Sequence, residues 1–237
     1  MGEPKRIKTY VRGLDERIMG GIPAGFNVLI AGPSGSMKTS LVYSIVFHNV
    51  KTMGVKGMFI SFEQNHDDIV DQMASLGMDP KNLKDLNIVD LSEFRKETKD
   101  EEERMDWFEA LISLLKRYKK EDGLDMVAID SLDALYSLTH LPNPRKQLFH
   151  FFRELRELNL TTFVISEIPR GTSTFGKYDV EEFLSDAIIH LRIRELEVGQ
   201  TTSVRRFMGV AKMRRTNHDT DYYPFLIIDN KFELVSE

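Results

Sequence analysis

Eight consecutive residues, GPSGSMKT at Gly32–Thr39, have the types and the order that could bind phosphate groups. A phosphate loop requires a glycine, four further residues and then Gly-Lys-Ser/Thr. In such a loop the backbone N–H groups and the positive end of the following helix face the phosphates, the lysine reaches the β- and γ-phosphates, and the hydroxyl ligates Mg²⁺. The predicted contacts to a nucleotide are Gly32, Pro33, Ser34, Gly35, Ser36, Met37, Lys38, Thr39 and Ser40, with Thr39 also a metal ligand.

Met37 departs from this pattern, because it stands where the last glycine of the loop should be. It still supplies a backbone N–H. Its cost is small if its dihedral angles are right-handed helical and if its side chain points away from the nucleotide. Two alternatives follow from the departure: a chance Gly-Pro-Ser-Gly turn, or a degenerate loop that binds nucleotide but hydrolyses it poorly.

Two acidic residues follow apolar strands and are candidates for the same site. Asp130 ends DMVAI and could hold the Mg²⁺ shell, with Ser131 beside it. Glu63 ends GMFISF and could orient and deprotonate an attacking water as a general base. Because parallel strands deliver functional residues at their carboxyl ends, we expect both near the phosphate loop. Each could instead be a helix N-cap or a solvated strand end.

A basic segment near the end of the chain, KMRRTNHD, contains Lys212, Arg214 and His218. Lys212 and Arg214 are two residues apart on a predicted strand, so both side chains point to one face. Cations that converge in this way suit a γ-phosphate, in this chain or in a neighbouring one. A solvated basic edge that blocks strand pairing explains them equally well.

The elements that must position these residues alternate between apolar runs and amphipathic segments. The first strands are predicted at Phe26–Ala31, Gly57–Phe62, Asn87–Leu91, Asp125–Ile129 and Thr161–Ser166. Helices are predicted at Thr39–Met53, His66–Leu76, Trp107–Tyr118 and Pro144–Leu158, with later strands at Ala187–Arg194, Ser203–Met213, Pro224–Asp229 and Phe232–Val235. This order predicts an α/β fold with a mostly parallel central sheet flanked by helices and antiparallel C-terminal strands at one edge.

Two segments lack this periodicity. Residues 92–106 are dense in charge, which predicts a solvated excursion between elements. Residues 167–180 hold two glycines, a proline and a Thr-Ser-Thr run, which predicts a mobile loop.

Composition limits the classes of protein that remain. The chain has 237 residues, 41% apolar and 29% charged, with 32 basic and 37 acidic side chains and a net charge of −5. These values are typical of a globular protein and exclude a strongly basic nucleic-acid coat. With no cysteine there is no disulfide and no thiolate metal site. We expect a single domain over residues 1–237 in a cytoplasmic protein without a membrane segment.

Several motifs together resemble the KaiC-like branch of the RecA-type ATPases. They are VRGLDERIMGGIPAGFNVLIAGPSGSMKT, FISFEQ, MVAIDSLDAL, VEEFLSDAIIHL and KMRRTNHDTDYYPFLI, and they cover nearly the whole chain in the family's order. The resemblance implies ATP with Mg²⁺, slow hydrolysis, and homo-oligomers, as hexameric rings, with nucleotide between subunits. It also implies a nucleotide-driven action on a protein partner.

The family's site residues carry over by matching position. Glu63 matches the general base, and Lys212 and Arg214 match cations that reach the neighbouring subunit's γ-phosphate. His218 matches a nucleotide contact from that neighbour. Three features depart from the pattern: Met37, the pair Glu63-Gln64 in place of two glutamates, and Glu182-Phe183 in place of the Ser-Thr pair that the clock protein of the family phosphorylates.

Two other functions remain open at this point. A RecA-like DNA-binding accessory protein could use the loop at 167–180, which carries Arg170 and Lys177, although Glu167 and Asp179 offset those charges. A nucleotide-binding scaffold or regulatory subunit with little turnover would explain Met37 and Gln64. The sequence favours the ATPase over both.

Overall fold

A nine-stranded sheet dominates the part of the chain that the computed structural model describes, residues 5–92, 106–172, 174–198 and 201–235. Its strands are β3 Asn27–Gly32, β4 Gly57–Ser61, β5 Leu86–Asp90, β6 Met126–Asp130, β7 Thr161–Glu167, β8 Ala187–Val198, β9 Thr201–Met213, β10 Tyr223–Ile228 and β11 Lys231–Leu234. The spatial order is β11-β10-β9-β8-β3-β7-β6-β4-β5. A separate antiparallel pair joins β1 Arg6–Ile7 to β2 Ile22–Pro23.

The six strands from β8 to β5 are parallel, and β9, β10 and β11 add antiparallel strands at one edge. Strands β3, β4 and β6 are buried along their whole length. This burial is typical of parallel strands that are covered on both faces, and it explains their continuous apolar runs. The predicted fold class is confirmed.

Helices cover both faces of the sheet. Their bounds are α1 Leu14–Arg17, α2 Lys38–Met53, α3 His66–Ser75, α4 Trp107–Glu121, α5 Leu132–Leu138, α6 Pro144–Glu157 and α7 Glu181–Leu184. Val28 and Ile30 of β3 belong to the apolar cluster that contains the inner side of α2, whereas Leu29 belongs to the cluster formed with α4, α5 and α6. The alternation follows from the period of two along a strand.

The element bounds differ from the sequence prediction in a few places. Helix α5 was not predicted, and β8 and β9 each extend two or more residues further into their hairpin than expected. Most of the predicted charged excursion at 92–106 lies outside the described residues. In the described portion, every helix is too short or too polar to cross a bilayer.

Candidate nucleotide site

The loop between β3 and α2 depends on two glycines for different reasons. A Cβ on Gly32 would lie 2.8 Å from both the Leu191 carbonyl oxygen and Ser36 Oγ, so only glycine fits this close approach. Gly35 has a φ of +77°, a conformation that side chains rarely adopt. Ser36 Oγ donates to the Pro33 carbonyl at 2.7 Å and fixes the turn between them. The sequence therefore builds a tight loop over the start of α2.

Lys38 turns its amine back into this loop. Its Nζ donates to the carbonyl oxygens of Gly32 at 2.8 Å and Pro33 at 2.9 Å. The residue is buried, and desolvation lowers the pKa of the amine below its usual value, although the negative charges of Glu167 and Asp130 oppose that shift. The lysine thus sits where the loop encloses it, among carboxylates that favour its charge.

Met37 does not have the right-handed helical dihedral angles that would make its conformational cost small. Its φ is 75° and its ψ 28°, which is left-handed, not right-handed, helical. A non-glycine residue in this region costs about 1–2 kcal/mol relative to a right-handed conformation. The side chain is partly buried and packs against the apolar cluster beside α2, so part of this cost is offset by packing.

Thr39 and Asp130, the two predicted metal ligands, are in direct contact. Thr39 Oγ1 donates to Asp130 Oδ2 at 2.7 Å. Asp130 is the last residue of β6 and is 7% exposed. Burial raises the pKa of its carboxyl to about 6, partly opposed by the hydrogen bond from Thr39. A hydroxyl beside a buried carboxylate is a donor set that suits Mg²⁺ held partly by phosphate oxygens.

Glu63 lies beside the same strand ends. Ser131 Oγ donates to Glu63 Oε1 at 2.9 Å, and the register pairs Ser61 of β4 with Asp130 of β6. The N-cap of α3 is Asn65 and that of α5 is Ser131. The alternative reading of Glu63 and Asp130 as helix caps is therefore wrong, and both carboxylates stand at the edge of the sheet that carries the phosphate loop.

Two further residues at this edge were missed in the sequence. Glu167 ends β7, pairs in register with Gly32 and is the leading carboxylate in the electrostatic surroundings of Lys38. Arg206 of β9 donates from Nε to the Gly35 carbonyl at 2.9 Å. The rule that placed Asp130 and Glu63, a polar residue at the end of an apolar strand, applies equally to Glu167. The sequence signal for Arg206 was only the basic run around it.

Lys212 and Arg214 converge on one short segment at the other end of the sheet. Lys212 Nζ donates to the carbonyl oxygens of Glu182 at 2.6 Å and Ser185 at 2.8 Å. Arg214 donates to Asp186 Oδ1 at 3.1 Å and to the Phe183 carbonyl at 2.9 Å. Both side chains therefore share a face, as their spacing predicts.

The strand register separates these two cations from the loop of their own chain. Lys212 pairs with Ile188, and Ile188 is level with Leu29 on β3, three residues before the loop begins. The carbonyl partners of Lys212 lie further away still, before β8 starts. His218, whose Nδ1 lies 3.2 Å from the Thr216 carbonyl, follows the same end of β9. The structure does not bring these three residues into the site.

A buried strand, a glycine loop and a helix that opens with Lys-Thr, beside a carboxylate at the end of another strand, define a P-loop nucleotide-binding protein of the RecA-like fold. A family model described as "ATPase: KaiC" matches residues 7–237. The chain belongs to this KaiC family of ATPases.

Similar proteins are found by sequence and by structure. The circadian clock oscillator protein KaiC of a Picosynechococcus species is 31% identical over 95% of this chain, and that of Rippkaea orientalis is 30% identical over the same share. The chain spans 43% of the length of each of these relatives. The crystal structure of a KaiC-like protein from the archaeon Pyrococcus horikoshii superposes with a TM-score of 0.82 at 25% identity, covering 98% of this chain and 100% of that one.

Proposed function

We propose that this chain, acting as one domain over residues 1–237, binds ATP with Mg²⁺ and hydrolyses it slowly. The observation that carries the proposal is the contact between Thr39 and Asp130 at 2.7 Å beside the enclosed amine of Lys38. Three elements, β3, α2 and β6, deliver these groups to one point. A chance Gly-Pro-Ser-Gly turn does not account for that convergence.

Each residue has a distinct role in the proposed reaction. Lys38 and the N–H groups at the start of α2 bind the phosphates, and Arg206 braces the loop through Gly35. Bound Mg²⁺, held by Thr39 and through water by Asp130, would neutralise charge on the phosphates. Glu63 orients and deprotonates the attacking water. Its hydrogen bond from Ser131 holds the carboxylate in place.

Slow turnover follows from two features of the same site. Met37 adopts a strained, left-handed conformation, with a φ of 75°, while its N–H remains in the loop. Gln64, next to Glu63, is an amide whose side chain donates to Gln72 at 3.2 Å instead of adding a second carboxylate. One base rather than two leaves the attacking water less strongly polarised.

We further propose that a second copy of the chain completes the site. Lys212 and Arg214 cannot reach the loop of their own chain, yet they are paired with carbonyls and one carboxylate at a single exposed end of the sheet. In a homo-oligomer, as the predicted hexameric ring, that end would meet a neighbour's phosphates and His218 would accompany it. Action on a partner protein remains a prediction from the resemblance.

An apolar surface beside Arg214 supports a second copy as its neighbour. Phe183, whose carbonyl accepts from Arg214, is 64% exposed, and Phe149 of α6 is 51% exposed. Together with Val180 and Leu184 they line a cavity of about 390 Å³. Exposed aromatic surface of this kind marks an interaction site, and its continuity with the two cations selects another copy of this chain as the occupant.

A test of nucleotide binding and hydrolysis uses three substitutions. Lys38→Ala should abolish ATP binding in calorimetry, whereas Lys51→Ala, an exposed lysine near the end of α2, should leave it unchanged. Glu63→Gln should keep ATP affinity and reduce steady-state turnover by about 100-fold, the usual contribution of a general base. Unchanged turnover in the Glu63 variant would remove it as the base.

A mixing experiment tests the second copy directly. Lys38→Ala subunits lack a working loop but keep Arg214, and Arg214→Ala subunits have the opposite defect. Each variant alone should be inactive, and a mixture should regain part of the turnover because some interfaces then carry one intact loop and one intact arginine. Mixed oligomers that form by light scattering but show no recovery would refute action between subunits.

The nucleic-acid alternative is less well supported by the same structure. Phe175, an aromatic residue in the loop at 167–180, packs edge-on against His190 with ring centroids 5.1 Å apart. Stacking platforms for single strands need exposed aromatic faces beside free cations.

A further inference from the structure

A basic cavity lies beside Pro33, at the start of the phosphate loop. It has a volume of about 320 Å³ and is bounded by Pro33, by the start of the loop after β7, and by residues 190–194 in the middle of β8. The charged residues that line it are all arginines, namely Arg170, Arg192 and Arg194, and the described lining includes no carboxylate. Such a concentration of one charge in a concave site calls for a ligand of the opposite charge.

Two of the arginines have their guanidinium groups over aromatic rings and are not paired with acidic side chains in the described part of the chain. The guanidinium carbon of Arg192 lies 3.7 Å from the ring centroid of Tyr222, and that of Arg194 lies 5.5 Å from the ring of Phe207. Within the described portion of the chain, neither guanidinium is within ion-pair distance of a carboxylate. A stacked guanidinium keeps its planar fork of N–H donors for a ligand at its edge.

Arg170 adds a third cation at the rim. Its partner is Glu195, and both side chains are more than half exposed, 57% and 59%. An ion pair as exposed as this contributes little and exchanges partners readily. Arg170 is therefore available to a multivalent anion that enters the cavity.

The floor of the cavity is rigid. His190 Nδ1 lies 2.8 Å from the Tyr222 hydroxyl, and the His190 ring packs edge-on against both Tyr222 and Phe175. Because His190, Arg192 and Arg194 alternate along β8, all three face the same side. Burial keeps the imidazole neutral, since it lowers the pKa of His190 to about 4. The positive charge of the cavity thus comes from the arginines alone.

We propose that this cavity is an anion site, separate from the nucleotide site, that binds the phosphate group of a small ligand through Arg192, Arg194 and Arg170. Arginine forks bind phosphate oxygens in pairs, which matches a multivalent oxyanion better than a carboxylate or chloride. The volume accommodates inorganic phosphate or a small phosphorylated compound, at the lower end of ordinary ligand pockets.

Pro33 couples this site to the nucleotide site. Pro33 lines the cavity, and its carbonyl oxygen accepts from Lys38 Nζ at 2.9 Å and from Ser36 Oγ at 2.7 Å. A phosphate held against Pro33 therefore acts on the residue that positions the loop lysine. Linkage requires that the two ligands change each other's affinity by the same factor.

The test is calorimetry with inorganic phosphate on the full chain, first alone and then saturated with Mg-ADP, which fills the phosphate loop. Phosphate should still bind one site per chain in the ADP-saturated protein. The double variant Arg192→Gln with Arg194→Gln should weaken that binding at least tenfold, and the corresponding Lys variants should weaken it less. Arg117→Gln on α4, where the guanidinium also lies near a ring, at 5.5 Å from Tyr118, is the matched control and should change nothing.

Several outcomes would overturn the proposal. Absence of phosphate binding to the ADP-saturated protein, or binding that the arginine variants leave unaltered, would do so. If the double variant does not fold, Arg194→Gln alone carries the test, because that side chain is exposed. Binding of an oligothymidylate that depends on Arg192 and Arg194, without binding of inorganic phosphate, would replace the small ligand by a nucleic acid.

The proposal is independent of the proposed ATPase function. If Mg-ADP fails to bind, the ATPase proposal fails, while the arginine-dependent phosphate isotherm can still be measured on the protein alone. If ADP binds and phosphate does not, only the second site is refuted.

Discussion

His190 should make a contribution to the stability of this protein that is lost in mild acid. The residue is 5% exposed, and its ring is enclosed by Phe175 and Tyr222. Burial, reinforced by the positive charge of Arg192, lowers the pKa of His190 from 6.5 to about 4. Between these two values the unfolded chain binds a proton that the folded chain does not. The stabilisation by neutral His190 is therefore complete above the unfolded pKa and is lost as the pH falls toward 4.

The magnitude follows from the two pKa values. They differ by about 2.5, which corresponds to about 3.4 kcal/mol of unfolding free energy once the pH is below both. At pH 5 the unfolded histidine is almost fully protonated and the folded one is not, so the loss relative to pH 7.5 is about 2 kcal/mol. Asp15, Asp130 and Asp133, whose pKa values burial raises, oppose this trend in every variant and cancel in a comparison between the parent and a variant.

The assay is urea unfolding at pH 7.5 and pH 5.0 of the parent and of His190→Asn. Asparagine keeps a polar partner for the Tyr222 hydroxyl but has no proton to gain in this range. Its fixed packing cost is the same at both pH values, so the parent should lose about 2 kcal/mol more than the variant on acidification. The buffers must be free of phosphate, because His190 lines the basic cavity.

The matched control is His140→Asn, at an exposed position after α5, which should retain the pH dependence of the parent. A lowered pKa of His190 is refuted if His190→Asn and the parent lose the same unfolding free energy between the two pH values. Equal losses would mean that the folded imidazole accepts its proton as easily as the unfolded one.

Three further predictions concern single features of the structure. Gly32→Ala should reduce the unfolding free energy by about 2 kcal/mol in urea titrations, because its Cβ would lie 2.8 Å from the Leu191 carbonyl, which is backbone and cannot turn aside. Met37→Gly should stay within about 1 kcal/mol of the parent, because relief of left-handed strain offsets lost packing, while Met37→Val should cost about 1–2 kcal/mol by the same titration; equal stability of both variants would contradict the observed φ. Replacing Phe149 and Phe183 by Gln should abolish oligomers in light scattering with an unchanged circular dichroism spectrum, and oligomers that persist would show that the apolar surface is not the interface.

The parallel strands were predictable because their burial leaves a simple trace. The run at Phe26–Ala31 and the strand observed at Asn27–Gly32 differ by one residue, as do Asp125–Ile129 and Met126–Asp130. A strand covered on both faces must be apolar throughout, and the polar residues that follow it mark its end. Helix α5 was not predicted because it is seven residues long and directly follows a strand. Its main sequence signal is Ser131 at the N-cap.

The outer hairpin shows the opposite situation. Strand β8 extends to Val198 and β9 begins at Thr201, through cross-strand pairs such as Arg194 with Arg205 and Glu197 with Thr202. Such pairs are polar on both faces, so hydrophobic alternation fades while the backbone ladder continues. A prediction from hydrophobic alternation therefore places the strand ends where the apolar residues end.

The candidate site was predictable where strand order decides position, and not where backbone conformation does. Asp130 and Glu63 were placed correctly at the edge of the sheet because parallel strands end together. The left-handed conformation of Met37 depends on how the loop closes over α2, and its type alone carries no sign of it. The contact of Arg206 with Gly35 spans 171 residues, a separation that no local pattern encodes.

The position of the cations along β9 decides which of them a chain can use for its own nucleotide. Arg206 contacts the phosphate loop, and Arg214 contacts Asp186 at the opposite end of the sheet. At about 3.3 Å per residue, the part of β9 from Arg206 to its last residue, Met213, separates the two arginines by roughly 20 Å. Arg206 can therefore brace the phosphate loop of its own chain, whereas Arg214 would reach a phosphate only if that phosphate is bound to another molecule. This spacing supports the proposal that a second copy contributes Arg214, and the mixing of Lys38 and Arg214 variants is the measurement that tests it.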